Sequence, residues 1–284
     1  MGMRGFAMSR IGGVVVPVYL SASAFAGSGG DRSDVPAVGR SRVQVFGLPL
    51  DVLTMEQTVE RVAELVADGG PHQHVVLNAA KVVLCEDDEE MRDIVSECSL
   101  VNADGQAVVW AARLLGHKVP ERVAGIDLME AVLSRSAAEG WPVYFLGATD
   151  EVVRKVVDIE TARHAGLTVA GFRNGFWTAD EEDAVVKEIA NSGAKVLLVA
   201  VPTPRKERFL AAHIQTLGVS FQMGVGGSFD VVAGVVTRAP RWMQKAGLEW
   251  TWRLLHEPRR MFRRYLVGNS RFIWLTCREW WRGR

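Results

Sequence analysis

The residues with most to offer chemically stand at a few separated points of the chain. Asp104 lies in Val101-Asn102-Ala103-Asp104-Gly105, between an apolar segment and a stretch of helical periodicity. A carboxylate at the end of a strand can accept a proton from a hydroxyl group as that hydroxyl attacks. It can equally cap the helix that follows. Asn78 closes an apolar segment, either as a turn residue or with its amide holding a sugar hydroxyl. Arg122, in Glu121-Arg122-Val123-Ala124-Gly125-Ile126-Asp127, precedes a helix. A solvated charge and an anion contact are both open to it, and Asp127 suits a helix cap.

Two further segments have the composition of anion or nucleotide contacts. Pro202-Thr203-Pro204-Arg205-Lys206-Glu207 follows the most apolar strand and opens a helix. Helix N-terminal amides favour anions, whereas cations at Arg205 and Lys206 oppose the helix dipole. That opposition costs several tenths of a kcal/mol, roughly, and is most readily offset by a negative ligand. Gly224-Val225-Gly226-Gly227-Ser228-Phe229-Asp230 is glycine-rich after a strand. It is not GxGxxG, because Phe229 stands where the third glycine belongs. No acidic ribose clamp follows and no P-loop occurs, so a dinucleotide site is weakly supported. A tight turn and a close backbone approach to a nucleotide both remain open. No Asp-x-Asp pair suited to a metal-bound diphosphate stands on these loops; Asp87-Asp88 belongs to an acidic run from Glu86 to Glu90 and reads as a solvated helix start.

These residues need a scaffold, and hydrophobic periodicity supplies one. Strands are expected over 43–48, 74–77, 99–102, 143–146, 167–171, 195–201 and 219–223. Helices are expected over 54–67, with Thr54 and Gln57 placed for a capping box, and over 87–98, 106–115, 126–138, 150–164 (capped by Asp150), 179–191 and 205–217. Such alternation implies an α/β fold, a parallel sheet covered by helices on both faces. In that architecture ligands bind at the carboxyl ends of the strands, where Asn78, Asp104, Lys206 and the 224–230 segment fall. After Gly234 the pattern is helical only, over 241–245, 249–256 and 258–281. The chain therefore divides into a leader over 1–42, a body over 43–234 and a helical appendage over 235–284.

Residues 238–284 carry twelve Lys and Arg against three Asp and Glu, together with six of the nine tryptophans. The formal net charge of zero thus joins a mildly acidic body to a strongly basic tail. Arginine forks suit phosphate, and tryptophan favours the membrane interface. Both in one segment point to an anionic partner with a greasy part, such as a lipid-linked phosphate or an anionic membrane surface. An ordinary amphipathic helix packed on the body is the alternative. An acidic body without a reader motif argues against nucleic acid. The three cysteines are widely spaced and no CxxC occurs, so neither a disulfide framework nor a zinc motif is suggested, and the cytoplasm is the simplest compartment. The leader has a basic start, an apolar run over 11–20 broken by Gly12, Gly13 and Pro17, and Ala24-Phe25-Ala26. It has the outline of a secretory signal; an unstructured leader or an early start codon accounts for it as well.

Taken in order, these pieces resemble the WecG/TagA/CpsF family, glycosyltransferase family 26, from about Val43 to Tyr265. The most specific agreement is Gly224 to Asp230, then Ala233-Gly234, Arg238-Ala239-Pro240, Leu248-Glu249-Trp250, Trp252-Arg253-Leu254, Glu257-Pro258, Arg260 and Arg264-Tyr265. Ala103-Asp104-Gly105 and Arg122-Val123-Ala124-Gly125-Ile126-Asp127-Leu128 are two more family blocks. The resemblance implies a Rossmann-like body with a C-terminal helical appendage that helps complete the site. It implies an inverting transferase that takes a sugar from a nucleotide diphosphate, commonly UDP, and places it on a polyprenyl-diphosphate-linked saccharide at the inner membrane face. It implies Asp104 as base, with Asn78 and Arg122 in the same pocket. Lys206, Gly224, Gly226, Gly227, Asp230, Arg238 and Arg253 would then meet the donor diphosphate, and Trp250, Trp252, Arg260 and Arg264 the membrane or lipid acceptor. No cofactor or metal is required on this reading, the UDP-sugar being a substrate; a homo-oligomer stays open. Two departures touch the sugar pocket: Val76 stands where the family often has Thr, and Lys206 replaces a Gln. A hexosyl donor is therefore as consistent as an N-acetylhexosaminyl one. A dehydrogenase or another nucleotide-dependent α/β enzyme is the alternative.

Overall fold

The structure is a computed structural model that describes residues 8–11, 14–17, 41–245, 247–256 and 258–283; for 8–11, 14–17, 245, 253, 256 and 258–267 it describes the backbone alone. Residues 1–39 and 40–284 form two separate units. Within the first, β1 (Met8–Ile11) and β2 (Val14–Pro17) pair antiparallel.

The second unit begins with a hairpin of β3 (Arg42–Val45) and β4 (Leu48–Asp51), where the hydrophobic pattern suggests one continuous strand. Phe46 and Gly47 both take positive φ, 58° and 67°. Glycine does so freely, but Phe46 needs support. It comes from far along the chain: the Phe46 ring packs 5.3 Å from Phe272, and its amide donates to Glu279 Oε1 at 2.8 Å.

Next come α1 (Met55–Asp68) and β5 (His72–Leu77), the helix opened by the Thr54–Gln57 capping box. The helix expected over 87–98 is α3 (Glu89–Glu97), and a further helix not expected from the sequence, α2 (Ala79–Asp87), precedes it. The two meet at Asp88, whose extended backbone ends α2 and whose side chain caps α3 through Met91 N at 3.1 Å. There follow β6 (Leu100–Ala103), α4 (Gln106–Leu114), α5 (Gly125–Glu139), β7 (Val143–Gly147) and α6 (Asp150–Arg163). The cap of α6 is Thr149 rather than Asp150: the Thr149 hydroxyl accepts from Val152 N, and Asp150 is the first helical residue. β8 (Val169–Arg173), a 3-10 turn at Ala179–Glu181, α7 (Glu182–Asn191), β9 (Val196–Ala200), α8 (Arg205–His213) and β10 (Phe221–Gly224) complete the alternation. A short α9 (Ser228–Val232) forms inside the glycine-rich segment. The appendage is α10 (Arg241–Lys245), α11 (Glu249–His256) and α12 (Pro258–Arg282).

Six strands make one parallel sheet in the order β6-β5-β10-β9-β7-β8. The chain runs outward from β5 to β6, crosses to β7 and β8, and returns to fill the centre with β9 and β10. This is the Rossmann-like α/β fold expected. β7, β9 and β10 are buried at every position, which is why β7 and β9 are continuous apolar runs rather than alternations, and β10 is one but for the buried Gln222. The appendage is part of the core as well as an amphipathic surface. Phe272 and Leu275 of α12 pack among residues of α2, α3, α4 and the β3–β4 hairpin, while Ile273, Trp274 and Trp281 face solvent.

Candidate active site

The site is assembled where the parallel strands end. β5 and β6 pair with Leu77 opposite Ala103, so Asn78 and Asp104 leave the sheet side by side. The Asp104 amide donates to Leu77 O at 2.9 Å. The Asn78 side-chain oxygen accepts from Lys81 N at 3.0 Å and caps α2, a more specific local role than the turn residue expected. Asp104 does not cap its own helix. Gly105 is the N-cap of α4 and makes no side-chain capping bond. The Asp104 carboxylate reaches across to the start of α5, where Oδ1 accepts from Gly125 N at 3.2 Å. The loop that carries Arg122 is drawn in by the same edge, Val123 N donating to Ala103 O at 2.9 Å. Asn78, Asp104 and the 122–125 loop thus share one corner of the sheet. Asn78 and Asp104 are both partly exposed there, and the carboxylate is oriented by a backbone amide.

Charges from the appendage border this corner. Arg122 donates to Glu249 of α11 at 2.5 Å. Arg238 makes a two-pronged pair with Asp127 at 2.6 and 2.8 Å, and its Nε lies 3.6 Å from Glu249. Asp127 therefore serves as the anchor of a tail arginine from within the first turn of α5, whose N-cap is Ala124. Two guanidinium groups alternate with two carboxylates. A diphosphate, with more charge and more acceptor oxygens than a carboxylate, is the kind of anion that displaces such a partner from a planar fork.

Lys206 sits differently from the expectation of an anion-facing cation. It is buried at the start of α8 with Glu207, and Lys81 of α2 is buried opposite. Glu207 Oε1 receives Lys81 Nζ at 2.6 Å, Lys206 Nζ at 2.7 Å and the Thr203 hydroxyl at 3.0 Å. Burial and the nearby Lys81 bring Lys206 down to about 8, against the pull of Glu207. Burial alone would raise the Glu207 carboxyl; the two lysines overcome it and hold that group at about 2. Arg205, the other cation set against the helix dipole, also has an internal partner: its guanidinium lies 4.2 Å above the Trp177 ring and donates to Trp177 O at 2.8 Å. The two charges that seemed to ask for a ligand are thus answered within the protein.

The glycine-rich turn begins directly above this network. A Cβ on Gly224 would stand 2.8 Å from Lys206 Cε, so the glycine leaves the room that the lysine stem occupies. Gly226 turns the chain at φ 54°, Gly227 is the N-cap of α9, and the carbonyl of Asp230 accepts from Val235 N and Val236 N at 2.8 and 3.1 Å. β10 lies between β5 and β9, so this turn neighbours both Asn78 and the start of α8. In the appendage Trp252 donates its indole N–H to Thr237 O at 3.1 Å, and Trp250 is exposed. The side chains of Arg253, Arg260 and Arg264 lie outside the described residues.

Lys81 and Glu249 carry only faint marks in the sequence. A lone lysine among apolar residues of a helix, as in Ala79-Ala80-Lys81-Val82-Val83-Leu84, is the one local signal for Lys81. Glu249 is marked by being one of three acids in a basic tail. Neither signal names the partner. Over residues 43–284 the sequence matches the model of the glycosyl transferase WecG/TagA/CpsF family.

Proposed function

The chain belongs to the WecG/TagA/CpsF family of glycosyltransferases, and from that premise we propose that it is an inverting transferase acting on a lipid-linked acceptor. It moves a hexosyl or N-acetylhexosaminyl group from a UDP-sugar to a polyprenyl-diphosphate-linked saccharide in the assembly of a cell-surface or secreted polysaccharide. The observation that carries the reading is the meeting of Asp104, Asn78 and the Arg122 loop at one corner of the strand ends.

In the proposed reaction Asp104 takes the proton of the acceptor hydroxyl as that oxygen bonds to the anomeric carbon. The bond to the nucleoside diphosphate breaks on the opposite face, and the diphosphate leaves with the electron pair. Asn78 holds a sugar hydroxyl through its amide. Arg122 and Arg238 receive the charge that develops on the leaving group, displaced from Glu249 and Asp127 as the donor enters. The loops at the strand ends carry no Asp-x-Asp pair, so the reading assigns the leaving group to guanidinium groups rather than to a metal ion. Transfer of labelled sugar from a panel of UDP- and GDP-hexoses to a polyprenyl-diphosphate-linked saccharide, with the anomeric configuration of the product read by NMR, tests it. A UDP-sugar is the expected donor and inversion the expected outcome. Retention, or turnover of a nicotinamide cofactor in place of transfer, overturns the proposal.

The acceptor's lipid places the enzyme on the inner face of the membrane. No helix among the described residues is long and apolar enough to cross a bilayer. The appendage instead exposes Trp242, Leu255, Ile273, Trp274 and Trp281 amid its arginines, the composition of a surface-binding segment. Deleting the appendage would remove Phe272 and Leu275 from the core, so the informative variant keeps it and replaces Trp242, Trp274 and Trp281 by Ser. Flotation with vesicles rich in anionic lipid is expected to fall at least about tenfold, since each ring withdrawn from the interface forfeits on the order of 1 kcal/mol. Unchanged flotation, with the fold intact by circular dichroism, sinks the membrane role of these rings.

A further inference from the structure

A second cluster of chemically able side chains lies away from Asp104. Glu130 is on α5, Glu160 is on the last turns of α6, and His164 is the residue that closes α6. Glu160 and His164 are four residues apart and share a helix face. α6 starts beside the strand ends and runs back along the sheet, and the chain after His164 enters β8 level with the first residue of β7. The cluster's α6 residues therefore sit toward the opposite end of the sheet from the candidate active site.

The two carboxylates are divided in the same way. Arg163 Nη1 donates to Glu130 Oε1 at 2.6 Å and to Glu160 Oε1 at 2.9 Å. The remaining oxygens face a single imidazole nitrogen: His164 Nε2 lies 3.2 Å from Glu160 Oε2 and 3.6 Å from Glu130 Oε2. Glu160 is fully buried. Its Oε2 and the His164 Nε2 are both buried atoms without a hydrogen-bond partner, although they stand at contact distance from each other. Buried polar atoms of this kind ordinarily have a partner, and here two of them point at one small volume.

A tetrahedral centre with bonds of about 2.1 Å holds its ligand atoms about 3.4 Å apart. The two distances to His164 bracket that value, and all three ligand atoms lie within 4.8 Å of one another. One imidazole nitrogen and two carboxylate oxygens are a donor set for zinc and neighbouring transition metals. Arg163 then occupies the outer position, orienting both carboxylates through the oxygens that the metal does not use. We propose that Glu130, Glu160 and His164 bind a divalent transition-metal ion of the zinc class that ties α5 to α6. Three protein ligands leave a fourth position for water. The site has no part in the proposed sugar transfer, whose residues it does not share, so either proposal can fail without the other.

The test uses the full chain, without an affinity tag, stripped with chelator and titrated with Zn²⁺ by calorimetry, then with Co²⁺ for its absorption spectrum. One equivalent is expected to bind with a dissociation constant in the micromolar range or tighter. The Co²⁺ complex should show the strong visible bands of a low-symmetry four-coordinate site, and Zn²⁺ should raise the melting temperature. His164→Ala should weaken binding at least about tenfold and remove those bands. Glu160→Gln should do the same, and Glu130→Gln, at a more exposed position, covers the case in which the Glu160 variant fails to fold. Absence of stoichiometric binding to the wild type, or binding of equal strength by folded His164→Ala, overturns the proposal. In that event a proton shared among the three side chains holds the helices together.

Discussion

Asp104→Asn is expected to lower kcat by about 10²–10⁴ while leaving the folded protein intact. The geometry makes this substitution a clean one. Asp104 Oδ1 accepts from Gly125 N, and asparagine keeps an oxygen at that position, so the contact between β6 and the start of α5 survives. What disappears is the negative charge and, with it, the capacity to take a proton. The loss corresponds to about 3–5 kcal/mol of transition-state stabilisation, far more than a partly exposed hydrogen-bonded side chain contributes to folding. Single-turnover transfer measured beside a thermal melt separates the two effects. A variant that turns over at near wild-type rate with an unchanged melting temperature removes Asp104 from the proposed mechanism. A variant that loses rate only because it has unfolded reveals itself in the melt.

Glu207→Gln is expected to produce the largest loss of stability. The carboxylate is buried between two buried lysines, 2.6 Å from Lys81 and 2.7 Å from Lys206. Removing it leaves two ammonium groups with no counter-charge in a site that water does not reach, a change that typically costs about 3–5 kcal/mol. For a unit of this size that is a fall of roughly 6–20 °C in melting temperature. The pH dependence follows from the direction of the shift. Glu207 is held at about 2, below its ordinary value of 4.5. Its stabilisation is therefore complete above about pH 4.5 and is lost as pH falls through about 2. The wild type should lose stability over that acid window, and the gap between wild type and Glu207→Gln should narrow there. Lys206 acts in the opposite direction. It stands at about 8 even with Glu207 raising it, so without that carboxylate it loses its proton more readily still, and the variant's penalty should ease as pH rises toward the ordinary lysine value. A difference of less than about 2 °C at neutral pH would mean that the network contributes no net stability.

The Glu207 network also marks how far local reading reaches. Pro204-Arg205-Lys206-Glu207 is legible as a helix start after a strand, and its cations against the helix dipole are legible as an anomaly. The resolution of that anomaly is not local. Lys206 and Arg205 find Glu207, Thr203 and Trp177, and Glu207 finds a lysine 126 residues earlier. A charge pattern that suggests a ligand from sequence can be answered by a neighbour that no short window contains. The same holds at the β3–β4 turn, where the run from Val43 to Leu48 has the pattern of one strand. Phe46 adopts a positive φ because Phe272 and Glu279 support it there.

By itself the sequence determined the class of fold, the alternation of most of its strands and helices, and the loops on which chemistry was to be sought. Apolar runs too continuous for a one-sided sheet, separated by amphipathic helices, admit few arrangements other than a covered parallel sheet, and in such a sheet the strand ends are where ligands meet the backbone. The family motifs, spread from the body into the appendage, determined the kind of reaction. Tertiary structure alone decided which of those loops are neighbours. The pairing of β5 with β6 puts Asn78 beside Asp104, the docking of α11 brings Glu249 to Arg122 across 127 residues, and the insertion of β10 between β5 and β9 sets the glycine turn over Lys206. The physical reason is one of range. Helix periodicity, capping and turn preference act over a few residues and are written locally. Strand order and buried charge pairs are settled by long-range burial, in which each partner's environment exists only once the other has arrived.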